Sequence, residues 1–274
     1  MPRPRRAMTQ GVTMTVEARA APGLYRLLAW LSPNFPIGAF SYSHGLEATL
    51  AGGAVRDRLS LEAWIASVVT QGSGRMDADI LREAYRAAQA GDVAMLDAAN
   101  RRGLAFRATA ELALEAAQQG EAFLAACRAA WSEAFLESWA SSRNRSSPPS
   151  GPPPRAGEGR VGAGAGAEGN APAAEGVCHS AVFGAVAARA GVALADALIG
   201  YLAAFAANLV SAGLRLGIIG QTDGQRILAA LEPVVAHAAT AAMTRDMADF
   251  GAATFAVDLA SMAHETQYTR LFRS

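Results

Sequence analysis

The stretch Leu198-Ile-Gly-Tyr-Leu-Ala-Ala-Phe-Ala-Ala-Asn-Leu-Val-Ser-Ala-Gly-Leu-Arg-Leu216 decides the fold class. Leu198, Leu202, Phe205, Leu209, Ala212 and Leu216 recur at steps of three and four, which is one stripe of an α-helix held over about five turns. Residues 197–214 carry no charge for 18 positions, near the lower limit for crossing a bilayer. The segment is nevertheless rich in Ala, contains Gly200, Asn208, Ser211 and Gly213, and is closely flanked by Asp196 and Arg215. A buried core helix is therefore expected, and no membrane span.

The same periodicity extends outward. Leu61, Trp64, Ile65, Val68 and Val69 mark one buried helical face, with Ser60 placed to cap it and Gly72 and Gly74 to end it. A second helix is expected from about 75 to 90, stopped by Gly91-Asp92. A long helical stretch should follow over about 106–139, with Cys127, Trp131 and Phe135 stacked four apart. Helical sequence resumes over 177–190. Period-two alternation is missing, so the expected fold is all-α, a single-domain helical bundle.

Residues 141–176 break the pattern. Of these 36 residues, 19 are Gly, Pro or Ser, too little apolar surface to offset the entropy of ordering. The segment reads as a disordered insertion, tolerable because loop-closure entropy grows slowly with length. Gly164, Gly166 and Gly169 inside it match a dinucleotide-binding spacing, but no strand precedes them. Residues 1–22 read as a disordered leader, basic at Met1-Pro-Arg-Pro-Arg-Arg with no apolar stretch behind it, and residues 23–274 as the helical domain.

Composition narrows the function. The 24 basic residues, all Arg, balance 24 acidic ones, so the surplus charge of a nucleic-acid binder is missing. With no Lys there is neither a phosphate-loop lysine nor a Schiff base. Two distant cysteines, Cys127 and Cys178, suit a reduced, cytoplasmic setting. The enzyme templates fail in turn. Ser41 and Ser43 lie at the wrong spacing from Gly38 and Gly45 for a nucleophile elbow. His264-Glu265 is followed by Tyr268 where a zinc protease needs its second His. His44, His179, His237 and His264 are scattered, and Cys178-His179 point about 100° apart on a helix. No catalytic residue, metal ligand set or resident cofactor is expected.

Three segments are more specific. Leu31-Ser-Pro-Asn-Phe-Pro-Ile-Gly-Ala-Phe-Ser-Tyr-Ser-His-Gly-Leu-Glu47 is a Pro-stiffened loop feeding a helix that Ser41 or Ser43 is placed to cap. In Gly217-Ile-Ile-Gly-Gln-Thr-Asp-Gly-Gln-Arg226, Thr222 and Gln225 spell a capping box, with Asp223 in the first turn. The closing Ala260-Ser-Met-Ala-His-Glu-Thr-Gln-Tyr-Thr-Arg-Leu-Phe-Arg-Ser274 interleaves aromatics with Arg, as a docking segment does. A last helix folding back on its own core is the competing reading of that tail.

Together, and in this order, the three segments resemble the UreF family of urease accessory proteins. The resemblance runs from about Leu24 to Ser274 and leaves out the insertion, which is foreign to the family pattern. It implies an all-α, homodimeric, non-catalytic scaffold that bridges UreD (UreH in some organisms) and the GTPase UreG. The complex would deliver nickel to the urease apoprotein in a GTP-dependent step, without nickel being stably held on this chain. It implies that the tail engages UreD, through His264, Glu265, Tyr268, Arg270, Leu271 and Phe272. Tyr42, Gly45, Glu47, Gln221, Thr222, Asp223 and Gly224 follow as a possible shared surface or pocket wall. The alternative is a helical small-molecule-binding or regulatory domain with its pocket between helices.

Overall fold

The computed structural model describes residues 22–146 and 176–274. Among them lie eleven α-helices, two 3-10 turns and no strand. In order they are α1 (Pro22–Trp30), a 3-10 turn (Ala39–Ser41), α2 (Leu46–Ala51), α3 (Arg58–Gln71), α4 (Ser73–Ala90), α5 (Val93–Ala105) and α6 (Ala110–Ala130). There follow α7 (Ala134–Ser146), α8 (His179–Arg189), α9 (Leu194–Arg215), α10 (Gln221–Thr244), a 3-10 turn (Met247–Asp249) and α11 (Phe255–Glu265). The all-α helical bundle expected from the periodicity is what forms.

Helix α8 is the axis of the bundle. Ser180 through Ala187 are all buried, with α4, α5, α6 and α9 packed around them. Its small residues make this possible: a Cβ at Gly184 would collide with the backbone carbonyl of Leu81, so α8 lies directly against α4. Trp30, Phe123 and Phe183 meet edge-on or tilted at 5.4–6.4 Å and fill the space between α1, α6 and α8. In α9 the stripe holds: Leu198, Leu202, Leu209 and Ala212 are buried, and Phe205 and Leu216 are half-buried. Both α9 and α10 are long and apolar enough to cross a membrane, but α9 buries half of its apolar window inside the bundle.

Several local expectations need correction. The cap of α3 is Asp57, whose carboxylate accepts from Ser60 N at 2.8 Å while Ser60 Oγ accepts from Asp57 N at 3.1 Å. Ser60 is thus the third residue of the helix, in a reciprocal capping box. Helix α10 starts at Gln221 behind an extended Gly220 with no side-chain cap, so Thr222 and Gln225 form no capping box. Asp223 does lie in the first turn. The N-cap position of α2 is Gly45, in the left-handed region at φ 77°; Ser43, two residues earlier, still accepts through Oγ from the first-turn amide of Glu47 at 3.4 Å. The expected long helix over 106–139 is two, broken where Trp131 leaves helical geometry.

The insertion also begins later than composition suggests. Residues 141–146 complete α7, and Gly176 is already tied to the bundle by Asn100 Nδ2, which donates to its carbonyl at 3.0 Å. Asn100 Oδ1 then accepts from Cys178 N at 2.7 Å, which sets the chain on course into α8. The remainder of the expected insertion, 147–175, lies outside the described residues, as does the expected leader over 1–21. Pro22 opens α1, where its missing N–H costs nothing.

What positions the tail is the α10–α11 connection. Arg245 Nη1 donates to both Asp79 oxygens at 2.9 Å, and the buried Arg82 beside them donates to the carbonyl of Ala242 near the end of α10. Burial raises the pKa of Asp79, and the guanidinium groups of Arg245, Arg82 and Arg75 oppose that rise. Arg75 pairs with Asp249 at 2.8 Å, and Ala253 N donates to Gln71 O at 2.9 Å. The connection is thereby pinned to α3 and α4, and α11 is returned across α2 and α6.

Candidate functional site: the docked C-terminal tail

The first and third sequence segments meet. Gly45 leads into α2, and a Cβ there would press against the backbone of Ala260 and Ser261 at 3.0–3.3 Å, so α11 crosses directly over the turn. Ser261 is fully buried and shares a 2.7 Å hydrogen bond with Thr109, the N-cap of α6. Three turns of packing thus fix where the tail leaves α11.

Glu47, in the first turn of α2, is the hub. Its Oε1 accepts from Leu271 N at 2.7 Å and its Oε2 from Phe272 N at 2.9 Å. His264, fully buried, lies between two carboxylates, with Nε2 3.3 Å from Glu47 and Nδ1 2.7 Å from Glu111. Arg270 Nη1 reaches the other oxygen of Glu111 at 2.7 Å. Buried carboxylates need partners, and here the tail supplies them as backbone N–H groups, an imidazole and a guanidinium.

The end of the tail is tied down equally. Arg273 N donates to Ser41 O at 2.8 Å, and Ser43 N donates to Ser274 O at 2.7 Å. Ser274 Oγ donates to Glu115 Oε2 at 3.0 Å, an oxygen shared with His44 Nδ1 at 3.2 Å. His44 Nε2 bonds Ser73 Oγ at 2.7 Å, and these contacts hold the only non-glycine left-handed backbone among the described residues, φ 58°. Phe272 is buried beneath Arg215, whose guanidinium stands 4.4 Å over its ring and donates to the carbonyl of Phe40. Tyr42 donates to Gln118, and burial raises its phenol pKa.

The expected partner-binding residues therefore divide. His264 and Phe272 face inward, and Arg270 is spent on Glu111. Glu265 caps α6 by accepting from Ala110 N at 3.0 Å. Tyr268 is fully exposed and Leu271 is 62% exposed. Leu271 stands beside the exposed Phe40, with Arg215 and Arg273 around a shallow groove. Phe255, Leu259 and Met262 continue the apolar exposure along α11. The tail folds back on the core, as the competing reading has it, and it also carries large apolar groups into solvent. Of the second set, Tyr42, Gly45 and Glu47 belong to this site. Gln221, Thr222, Asp223 and Gly224 form the α9–α10 corner, where Asp223 pairs with Arg226 at 2.9 Å and Gly224 packs on Val210.

Sequence reading missed Ser43, His44, Glu111, Glu115 and Arg215. Glu111, Glu115 and Gln119 repeat every four residues along the Ala-rich α6, a polar stripe facing inward. That period was the available signal. Among the described residues, no group of three or more His, Cys, Asp or Glu is arranged to hold a metal ion.

Comparisons with known proteins bear on the family. The family model UreF matches residues 55–232. A urease accessory protein UreF of Granulibacter bethesdensis is 41% identical over 251 residues, 92% of this chain and 94% of the relative. The UreF of Azorhizobium caulinodans is 42% identical over 258 residues, 94% and 98% of the two chains. The UreF of Rhodopseudomonas palustris (strain HaA2) is 41% identical over 267 residues, 97% and 100%. With the family model covering more than half of the chain and such relatives spanning nearly all of it, this chain belongs to the UreF family of urease accessory proteins.

Proposed function

We propose that this chain is a non-catalytic scaffold in urease maturation, whose docked tail presents the surface that a UreD-type (UreH-type) accessory protein binds. The supporting observation is the pairing of a buried anchor with an exposed face. Phe272 and His264 fix the tail, and Tyr268 and Leu271 on the same short segment stand in solvent, Leu271 beside Phe40. Apolar side chains held rigidly in water, rimmed by Arg, are what a protein partner covers at low entropic cost.

In this reading the chain acts in the cytoplasm as a homodimer within the complex. It recruits the GTPase UreG and supports GTP-dependent nickel insertion into the urease apoprotein. Nickel is the cargo of the complex and is not stably held on this chain. Gln221, Thr222 and Asp223, at the α9–α10 corner, are the candidates for a second contact.

The test is complementation. Cells that carry the urease structural and accessory genes but lack their UreF should regain nickel-dependent urease activity when given this chain. Urease that remains metal-free, with the chain folded and abundant, would reject the proposal.

A further inference from the structure

The first part of the Pro-rich segment, residues 31–40, meets the tail site at Phe40, whose carbonyl accepts from Arg215. The same segment roofs a cavity of about 370 Å³ that runs down between α6, α8 and α9. Cavities of this size, walled by apolar groups with a few polar ones at one end, are typical of sites for small organic ligands. Trp30, Phe35, Ile37, Leu112, Phe183 and Phe205 form the walls.

The floor is polar and electrically balanced. Arg107, nearly fully buried, donates through Nη2 to Asp77 Oδ1 at 2.5 Å and through Nε to Gly103 O at 2.9 Å. Ser180 Oγ also donates to Asp77, at 2.8 Å. Glu115, higher on the wall, is met by His44 at 3.2 Å and Gln119 at 3.1 Å. Beside Arg107 stand His179 and Tyr201, their rings 5.3 Å apart. Burial drives the His179 pKa down to about 4, and burial likewise raises that of the Tyr201 phenol, so both stay uncharged.

Three of these groups have hydrogen bonds to spare. Arg107 Nη1, the Tyr201 hydroxyl and both ring nitrogens of His179 have no partner among the described residues, yet all three residues line the cavity. Leaving such groups unmet costs about 1–3 kcal/mol each, so water or a ligand must satisfy them. Their N–H and O–H groups offer donors to one acceptor atom. A ligand anion would face Asp77 and Glu115, and a ligand cation would face a guanidinium.

We propose that this cavity is a binding site for a small uncharged organic molecule with an apolar body and a carbonyl oxygen at one end. The carbonyl meets Tyr201, His179 and Arg107 at the floor, and the body lies among the aromatic walls under the 31–40 roof. Neither Tyr268 nor Leu271 lines the cavity, so changing either tests the partner-docking reading without altering this site.

Benzamide is the probe, followed by ligand-observed NMR against the full chain, with benzoate and benzylamine as its charged counterparts. Benzamide should bind saturably, and each charged probe about tenfold more weakly or worse. Ala204→Trp, which fills the cavity from α9, should abolish binding with the circular dichroism spectrum unchanged. Tyr201→Phe should weaken it about fivefold. No saturable benzamide binding at about 10 mM, or charged probes binding as tightly, would overturn the proposal. So would undiminished binding to Ala204→Trp. Should that variant fail to fold, Tyr201→Phe decides, and unchanged binding there overturns the site.

Discussion

Glu47 Oε2 accepts the backbone N–H of Phe272 at 2.9 Å, across 225 positions of sequence. The neighbouring oxygen takes Leu271 N at 2.7 Å, so one carboxylate caps two successive amides of the tail. An anion that accepts two backbone N–H groups is a stronger tie than any neutral side chain of its size.

Glu47→Gln therefore loosens the tail selectively. The amide keeps one acceptor and turns a donor toward an N–H, with an expected cost of ~1–3 kcal/mol to tail docking. Amide exchange at Leu271 and Phe272 should speed up about ten- to a hundredfold, with the amides of α8 unaffected. Unchanged exchange at these two residues would show that Glu47 is not the hub.

The close packing of α8 on α4 gives a second expectation. Gly184→Ala forces a methyl group onto the Leu81 carbonyl, backbone against backbone. Overpacking of this kind costs ~1–3 kcal/mol, measurable as a lower urea midpoint at constant slope. Equal or greater stability would mean that α8 has room to shift.

A third concerns acid. Burial holds the pKa of His179 down to about 4, against an ordinary 6.5, with Asp77 and Glu115 partly offsetting the shift. Between these values the unfolded chain binds a proton that the folded chain refuses. This contribution to stability is complete above about 6.5 and is lost as the pH falls toward 4. Because His179 opens onto the cavity, we expect ~1–2 kcal/mol of acid sensitivity from it. His179→Gln should flatten the fall in urea stability between pH 7 and 4.5 by that amount. An unaltered slope would contradict the assignment.

Much of this was legible in sequence, and for physical reasons. A stripe such as Leu198 to Leu216 is forced by the helical period, whatever it packs on. Helix ends were less legible. Ser60 and Thr222 are residue types that cap, but Asp57 lies three residues before one, and a glycine turn positions the other. The site was half legible. The tail's mix of aromatics and Arg marked it for contact, yet nothing local tells which of Tyr268, Leu271 and Phe272 turns inward. That is settled by Glu47, Glu111 and Arg215, all more than 50 positions away in the chain.

The measurement that bears most directly on the scaffold reading is affinity for a UreD-type partner with Tyr268 and Leu271 changed together to Asp. Both side chains are exposed, so stability should move by no more than ~0.5 kcal/mol per site. Binding should weaken at least about a hundredfold, as losing two central apolar contacts does. A folded double variant that binds the partner as tightly as the parent chain would contradict the account.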